Sequence, residues 1–536
     1  MSTHDRLAIV VAATPTPNGS LHVGHMAGPY LAGDVYARYL RATGRRVIYT
    51  TCTDDHQSYV LGTASRLGMT PTQLSRTATA DINRSLEAVD ASVVGLPPID
   101  DSYRKTVLSF IEDLRSAGRL RLRSARMPYA RRARTYLYDG LLSGSCPMCL
   151  ADCSGGACEE CGHPNSFEEL VNPRYALDPT DPVEYRECEI LVLPLEEYRE
   201  RLVAYYQRAA GDLRPRARQL LRELLAKPLP DVPVTVPGAW GIPVPFAETP
   251  GQVLYPWIEA MPAVMYSTFW SARRLGWDVD PVDALWRSSE GAEITYFHGF
   301  DNVYHWAVVD LALLMAHEDR YTLPEALVCN EFYELGGEKF STSRRHLVLA
   351  TDLLARVPRD LTRFYLSLTG PETQRTSFTE ADLLRTVTRR LVRPWNELAE
   401  ALAGLPDTPA GVVLTPSETG RAQARVLAER FQVHYQTSTF SPNRVAEMVL
   451  GQLPRLIRMA RQPAGVLEPG DVFAQVRTML AYAAPILVDV AGKLTAEGVD
   501  LSPGLVPPVA VAAFTLPCLP TVVGPAPTHD EVGGIG

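Results

Sequence analysis

Residues 7–13 (LAIVVAA) form an unbroken apolar run, the pattern of a strand covered on both faces in a parallel sheet. Residues 14–20 (TPTPNGS) are turn chemistry, and from about residue 21 to 42 the apolar positions take helical spacing. Residues 46–53 (RVIYTTCT) predict a second strand that runs into Asp54, Asp55 and His56. Strand, loop of small residues, helix and strand together predict a nucleotide-binding α/β half. The pattern breaks near residue 120. A basic stretch over 121–140 precedes a cysteine cluster, residues 196–229 are helical and charged, and 228–243 are proline-rich. Apolar runs alternating with helical stretches return over 250–330, which predicts that one α/β domain is split around an insertion at 121–230. Beyond Thr351 the spacing is that of amphipathic helices to about residue 498, and 501–536 carry Pro, Gly and Val without helical periodicity. There is no internal repeat.

Composition narrows the class. A chain of 536 residues exceeds the ~250–300 at which a single core stops growing, so several domains are expected. With 46 % hydrophobic and 21 % charged residues and a mean hydropathy of −0.06, disorder, a collagen-like fibre and a membrane protein are excluded. The net charge of −9 excludes a protein that coats nucleic acid by bulk charge, so any such partner must meet a local basic patch. Five of the nine cysteines fall between 146 and 161, unlike a disulfide framework. Neither a secretory signal nor a run of ~18 apolar residues is evident, and a reducing cytoplasm is the expected compartment.

Three segments carry candidate chemistry. His22 and His25 stand three apart where the first loop becomes a helix, on one face and beside amides that attract anions. Gly336-Gly337-Glu338-Lys339-Phe340-Ser341-Thr342-Ser343-Arg344-Arg345 is a glycine-hinged basic loop able to close over phosphates. In Tyr296-Phe297-His298-Gly299-Phe300-Asp301, Gly299 permits close backbone approach and Asp301 can accept from ribose hydroxyls. Each has a plain structural alternative, as a helix start or a solvated loop. The pairs Cys146/Cys149 and Cys158/Cys161, eight residues apart, have the spacing of a closed Cys₄ zinc knuckle with a structural role, while Cys153 inside the loop adds a fifth thiol.

In this order the segments resemble the class I aminoacyl-tRNA synthetases, and their methionyl branch in particular, from about residue 7 to 500. His22–His25 is similar to the HIGH signature, and Lys339–Ser343 to a degenerate KMSKS signature. Asp54 and His56 match the T-D-E-H-G segment, and the cysteine pairs match that branch's knuckle. The resemblance implies a Rossmann-like doubly wound parallel sheet (1–120 and 231–330) split by a zinc-bearing connective insertion (121–230). A KMSKS-like and stem-contact region (331–365), an all-α anticodon-binding-like bundle (366–500) and a tail (501–536) would follow.

By the same resemblance the chain activates an amino acid with Mg·ATP to an aminoacyl-adenylate and passes it to tRNA. His22, His25, Lys339 and Arg344 would be catalytic. Asn18, Gly24, Gly299, Asp301, Lys339, Ser341 and Ser343 would bind ATP. Thr14, Thr16, Asp54, Trp257, Tyr304, His305, Trp306 and Asp310 would line the amino-acid pocket. Expected cofactors are ATP, Mg²⁺ and structural Zn²⁺, with tRNA as partner, no membrane association and a monomeric state.

Several positions depart from the branch. Thr342 stands at the second lysine of the signature, with Arg344 as a possible substitute charge, and Thr14, Thr16 and Asp310 make the pocket more polar than a thioether needs. Arg455 stands where an anticodon-stacking aromatic is usual. Arg385, Arg389, Arg390 and Arg393 fit either a phosphate-contacting or a solvated helix face. Two alternatives therefore remain open: a paralogue activating another amino acid for amide or peptide formation, with or without tRNA, and a non-catalytic tRNA-binding or regulatory protein.

Overall fold

A computed structural model of the chain describes residues 6–209, 213–340, 346–463 and 468–522. The first apolar run is strand β1 (Ala8–Ala12), buried along its length. The helical stretch after it is interrupted: Val23–His25 is α-helical, Met26–Tyr30 forms a π turn, and helix α1 (Leu31–Ala42) then resumes. Apolar spacing does not reveal this kink. Pro29 has no amide hydrogen to donate, and Gly28 leaves helical geometry at φ −90°, ψ −125°. A Cβ on Gly28 would meet the Asn330 side chain at 2.9 Å, so the kinked turn closes onto that residue only as glycine.

Strand β2 (Val47–Thr50) precedes the insertion, whose long strands β3 (Arg121–Ala130) and β4 (Val183–Pro194) pair antiparallel. The cysteine loop lies between them. Helix α2 (Pro256–Arg274), strand β5 (Glu293–Gly299), helix α3 (Asp310–Ala316) and strand β6 (Ala326–Asn330) follow. The sheet order is β6-β5-β1-β2, parallel throughout. Its central pair, β1 with β5, joins halves of the sequence on either side of the insertion. β1 explains its own unbroken hydrophobicity. Ala8, Val10 and Ala12 enter the core shared with α1 and the C-terminal helices, while Ile9, Val11 and Ala13 enter the core shared with α2, α3 and the insertion.

The C-terminal region comprises α4 (Arg359–Thr369), α5 (Arg393–Ala403), α6 (Glu418–Gln432), α7 (Pro442–Ala460), α8 (Pro469–Ala483) and α9 (Val488–Ala496). It is fastened to the sheet domain by Arg363, whose side chain is fully buried. Its guanidinium donates to Asp34 Oδ2 on α1 (2.7 Å) and to the carbonyls of Val89 (2.9 Å), Pro485 (2.7 Å) and Ile486 (2.9 Å). The first part of the tail returns to this bundle. Val511–Ala512 pairs with Val413–Leu414, and Leu519 exchanges two backbone hydrogen bonds with the Asn396 amide, at 2.7 and 2.9 Å. Burial of Phe514, Leu516 and Leu519 provides the driving force.

Candidate active site

The two histidines cap the helix that leaves β1. The His22 backbone N–H donates to Nδ1 of His25 (3.2 Å), and the His25 N–H to Nδ1 of His22 (3.4 Å). This reciprocal capping box stacks the rings at 3.7 Å. Both Nδ1 lone pairs are thereby used, which leaves each Nε2 as the N–H donor. Burial lowers His25 to about 4, and burial with the neighbouring His25 ring holds His22 well below its usual value. The pair is therefore neutral at pH 7 and offers hydrogen bonds rather than charge to a phosphate.

The glycine-hinged loop, more than three hundred residues later in the chain, lands on this pair. Phe340 stacks on His22 at 4.5 Å and 6°. Beyond the loop, the Val23 N–H donates to Val348 O and the Ala350 N–H to Leu21 O, both at 3.0 Å. Gly24 fits this contact only as glycine, since a Cβ would meet His22 at 2.9 Å and Phe340 at 3.0 Å. Lys339 is paired with Glu159, in the turn between Cys158 and Cys161, and lies 5.4 Å over the Phe332 ring. Glu160 binds Arg375 beside it (2.7 Å). Ser341, Ser343 and Arg344, with Thr342 and Arg345, lie outside the described residues. Across the sheet, Gly299 ends β5 and Asp301 lies in the short turn that follows it. A Cβ on Gly299 would meet Asp301 Oδ1 at 2.5 Å, and burial raises the Asp301 carboxyl.

Asp54 lies under the first loop. Its N–H donates to Pro15 O (3.0 Å), between half-buried Thr14 and Thr16, and the Thr16 carbonyl accepts from Asn18 N–H (2.8 Å). Its carboxylate accepts from Gln57 Nε2 (2.7 Å), and burial, then Glu259 and Asp55, raise it well above the usual range. Glu259, one helical turn from the N-terminus of α2, accepts from the Tyr103 hydroxyl (2.6 Å) and meets His56 Nδ1 at 2.8 Å. Burial opposes protonation of His56, but the Glu259 carboxylate outweighs it and raises the imidazole. Asp54, Asp55 and Glu259 make an acidic wall suited to an ammonium group.

The remaining pocket candidates divide. Trp257 and His305 stack at 3.5 Å and 5°, with Tyr304 edge-on to His305. Trp306 instead packs edge-on against Tyr296 in the core. Asp310 is buried, burial raises its carboxyl well above the usual range, and its Oδ2 lacks a partner among the described residues.

The sequence pattern had not singled out Glu159, Phe340 as a ring on His22, or Asp139. The Asp139 carboxyl is fully buried, accepts from Tyr255 OH (2.8 Å), and is raised by burial to about 7. Only a positive φ of 43° at this non-glycine residue marks it, and no sequence pattern reports that.

The sulfur atoms of Cys146, Cys149, Cys158 and Cys161 all lie within 4.8 Å of one another. The 146–161 and 149–158 pairs are 3.7 Å apart, which matches the edge of about 3.8 Å expected for a tetrahedron of ~2.3 Å Zn–S bonds. Cys153 falls outside this set, with its sulfur accepting from Asn165 Nδ2 at 3.1 Å. The donor set fits a structural zinc ion.

Comparison with known proteins gives this geometry its context. The family described as tRNA synthetases class I (M) matches residues 8–402. A protein of Roseiflexus sp. (strain RS-1) named methionine–tRNA ligase is 29 % identical over 471 residues, 86 % of this chain and 79 % of the relative. One of the same name from Thermomicrobium roseum is 30 % identical over 399 residues, 73 % of this chain and 67 % of the relative. The chain spans about half (54 %) of a third, from Pelodictyon phaeoclathratiforme, at 30 % identity over 70 % of this chain. In fold, the chain is similar to Mycobacterium tuberculosis methionyl-tRNA synthetase bound by methionyl-adenylate. The TM-score is 0.70 at 20 % identity, over 95 % of this chain and 100 % of that one.

Proposed function

The chain belongs to the class I tRNA synthetases of type M, a family of ligases, and from that premise we propose that it joins an amino acid to ATP as an aminoacyl-adenylate and transfers the acyl group to tRNA. The observation that carries this reading is the docking of the 336–340 loop on the His22/His25 pair, where Phe340 stacks on His22 and the neighbouring residue is Lys339. The amino-acid carboxylate attacks the α-phosphate and pyrophosphate leaves. This step needs alignment and stabilisation of phosphate charge more than proton transfer.

His22 and His25 donate through Nε2–H to phosphate oxygens. Gly299 and Asp301 bind the ribose, and Asp54 with the acidic wall behind it holds the substrate ammonium. Lys339 leaves the exposed Glu159 carboxylate for the phosphates, an exchange that costs about 1 kcal/mol or less at such exposure. Ser341, Ser343 and Arg344 complete the loop, and Mg²⁺ arrives with ATP. Cys146, Cys149, Cys158 and Cys161 hold zinc, which supplies a rigid cross-link and no open coordination position.

A second reading, activation of an amino acid other than methionine, is favoured by Asp310 and His305, polar groups that an apolar thioether would leave unpaired. Pyrophosphate exchange into ATP across a panel of amino acids tests both. Exchange with methionine alone supports methionine as substrate, exchange with another amino acid supports the second reading, and none at all refutes adenylation. Aminoacylation of total tRNA then tests the acceptor.

A further inference from the structure

Phe300 stands between Gly299 and Asp301, in the turn that follows β5, and its ring is buried. Two groups from the insertion hold that ring. The Arg216 guanidinium lies over its face, 3.7 Å from the centroid. Gly162, which follows the last knuckle cysteine, lies against its edge: a Cβ there would meet Phe300 Cζ at 3.1 Å and Leu220 at 2.3 Å. The Gly162 N–H donates to Cys158 O (2.7 Å), so the residue on the ring edge belongs to the knuckle turn itself.

Arg216 lies in the first turn of the insertion helix Pro215–Leu225, and its other contacts converge on the same place. It donates to the Glu160 carbonyl of the knuckle turn and to Oε2 of buried Glu331 (2.5 Å). Glu331 follows Asn330 at the end of β6, and Asn330 is registered beside Gly299 at the end of β5. One side chain therefore joins the knuckle turn, the turn after β5 and the segment after β6. These are the carboxyl ends of adjacent parallel strands, outside which open α/β sheets bind their ligands. The turn has little slack, because Asp301 folds back so closely that a Cβ on Gly299 would meet its Oδ1 at 2.5 Å. A shift of the Phe300 ring thus carries the backbone on both sides of it. Arg214, two residues earlier, donates to Cys329 O (2.8 Å), so the helix start stays fastened to β6 without Arg216.

We propose that Arg216 is a positioning residue for the nucleotide: by holding Phe300 against Gly162 it sets the turn that presents Gly299 and Asp301 to the ribose. The proposal rests on the ribose reading of those two residues, and not on which amino acid is activated. It gives the insertion a part in nucleotide affinity through a contact that touches neither the phosphates nor the amino-acid pocket. Arg216 itself meets no substrate atom and acts only through the ring.

The test is calorimetric binding of ATP, 2′-deoxy-ATP and 3′-deoxy-ATP to the full-length protein, with pyrophosphate exchange alongside. Wild type is expected to favour ATP over at least one deoxy analogue about tenfold, the effect of one hydroxyl-to-carboxylate hydrogen bond. Arg216→Met keeps the aliphatic stem but removes the cation and its donors. It is expected to weaken ATP about fivefold and to cut the ribose preference to about twofold. In exchange, KM for ATP rises, while kcat and KM for the amino acid stay within about twofold of wild type. Arg216→Lys restores a cation over the ring and is expected to recover part of the preference. Phe300→Leu is expected to reproduce the loss, and the double variant to lose no more than either single one, since both act through one contact. Arg375→Met removes an exposed partner of Glu160 and is expected to keep the wild-type preference. Zinc content and urea midpoints are compared throughout. If Arg216→Met loses its metal or fold, Phe300→Leu, which leaves the knuckle and Arg216 in place, decides the outcome. An unaltered ribose preference in the variants, or equal weakening of ATP and both analogues, overturns this proposal alone. Wild type that binds no ATP, or binds it without ribose preference, overturns the ribose reading and the proposal together. A preference that Arg216→Met removes, in a protein showing no exchange with any amino acid, refutes adenylation and leaves the proposal standing.

Discussion

Replacing Arg363 with alanine tests how the helical region is held to the sheet domain. The guanidinium is fully buried and makes one ion pair, to Asp34, and three hydrogen bonds to carbonyls from two distant segments. Breaking a buried pair by removing one partner costs about 3–5 kcal/mol. Here the orphaned Asp34 keeps Arg38 (2.9 Å) and the Ser92 N–H (2.7 Å), which places its share at the lower end. The carbonyls of Val89, Pro485 and Ile486 lose their donor, and each buried acceptor adds to the cost unless water enters. The expected loss is therefore about 3–4 kcal/mol. Arg359, one turn earlier on the same helix, provides the control: its pair with Asp489 is partly exposed, and Arg359→Ala is expected to cost about 1 kcal/mol or less. Urea unfolding gives the magnitude. Hydrogen exchange locates it, with protection expected to fall in 359–369 and 485–490 before the central sheet is affected. A loss below about 1 kcal/mol, or equal losses for Arg359→Ala and Arg363→Ala, would refute the reasoning.

The pH response of Asp139 has a sign opposite to that of most carboxylates. Its folded pKa is raised to about 7 from 3.8, so the folded state binds more protons than the unfolded state between those values and stability falls as pH rises through that window. Asp139→Asn is expected to gain about 1.4 kcal/mol per pH unit relative to wild type across it, measured as urea midpoints at pH 5 and 8; parallel curves refute the assignment. His25→Asn removes one N–H donor from the phosphate site and is expected to slow pyrophosphate exchange about 10²–10³-fold, with Kd for ATP changed far less; an unchanged rate removes His25 from the mechanism. Purified protein is expected to carry one zinc per chain by elemental mass spectrometry and Cys158→Ser much less, so a metal-free wild type with an intact fold would dismiss the site. Gly24→Ala is expected to displace Phe340 from His22 and weaken ATP binding, read by calorimetry, because its Cβ has no space at 2.9–3.0 Å.

What the sequence makes legible follows from physical range. β1 is readable because each of its side chains is covered, one face by each core, and an unbroken apolar run is the direct trace of that. The four knuckle cysteines are readable because two C-x-x-C pairs are a local spacing, and the fold brings their four sulfurs within 4.8 Å of one another. The kink at Gly28 and Pro29 is half readable: proline announces a break, but the π turn answers to Asn330, some three hundred residues away. Arg363 looks like any helix arginine, since its burial comes from segments ending at Val89 and Ile486 that no periodicity connects to it. Trp306 is a different case: the resemblance implies a place in the amino-acid pocket, and its ring makes an edge-on contact with Tyr296 among buried residues.

The electrostatics of the site joins these observations. The histidine pair is neutral and adds no formal positive charge, while Asp54, Asp55 and Glu259 lie close enough together that the last two raise the Asp54 carboxyl further after burial. On the proposed reading, the positive charge that a triphosphate needs would come from Lys339 and from Mg²⁺. Lys339 is tied to the knuckle through Glu159, while Phe340, the next residue, is set on His22. Consecutive residues thus bind the loop to the cysteine knuckle and to the histidine pair. The Lys339–Glu159 pair is exposed and worth about 1 kcal/mol or less, so the knuckle biases the resting position of Lys339 without holding it there.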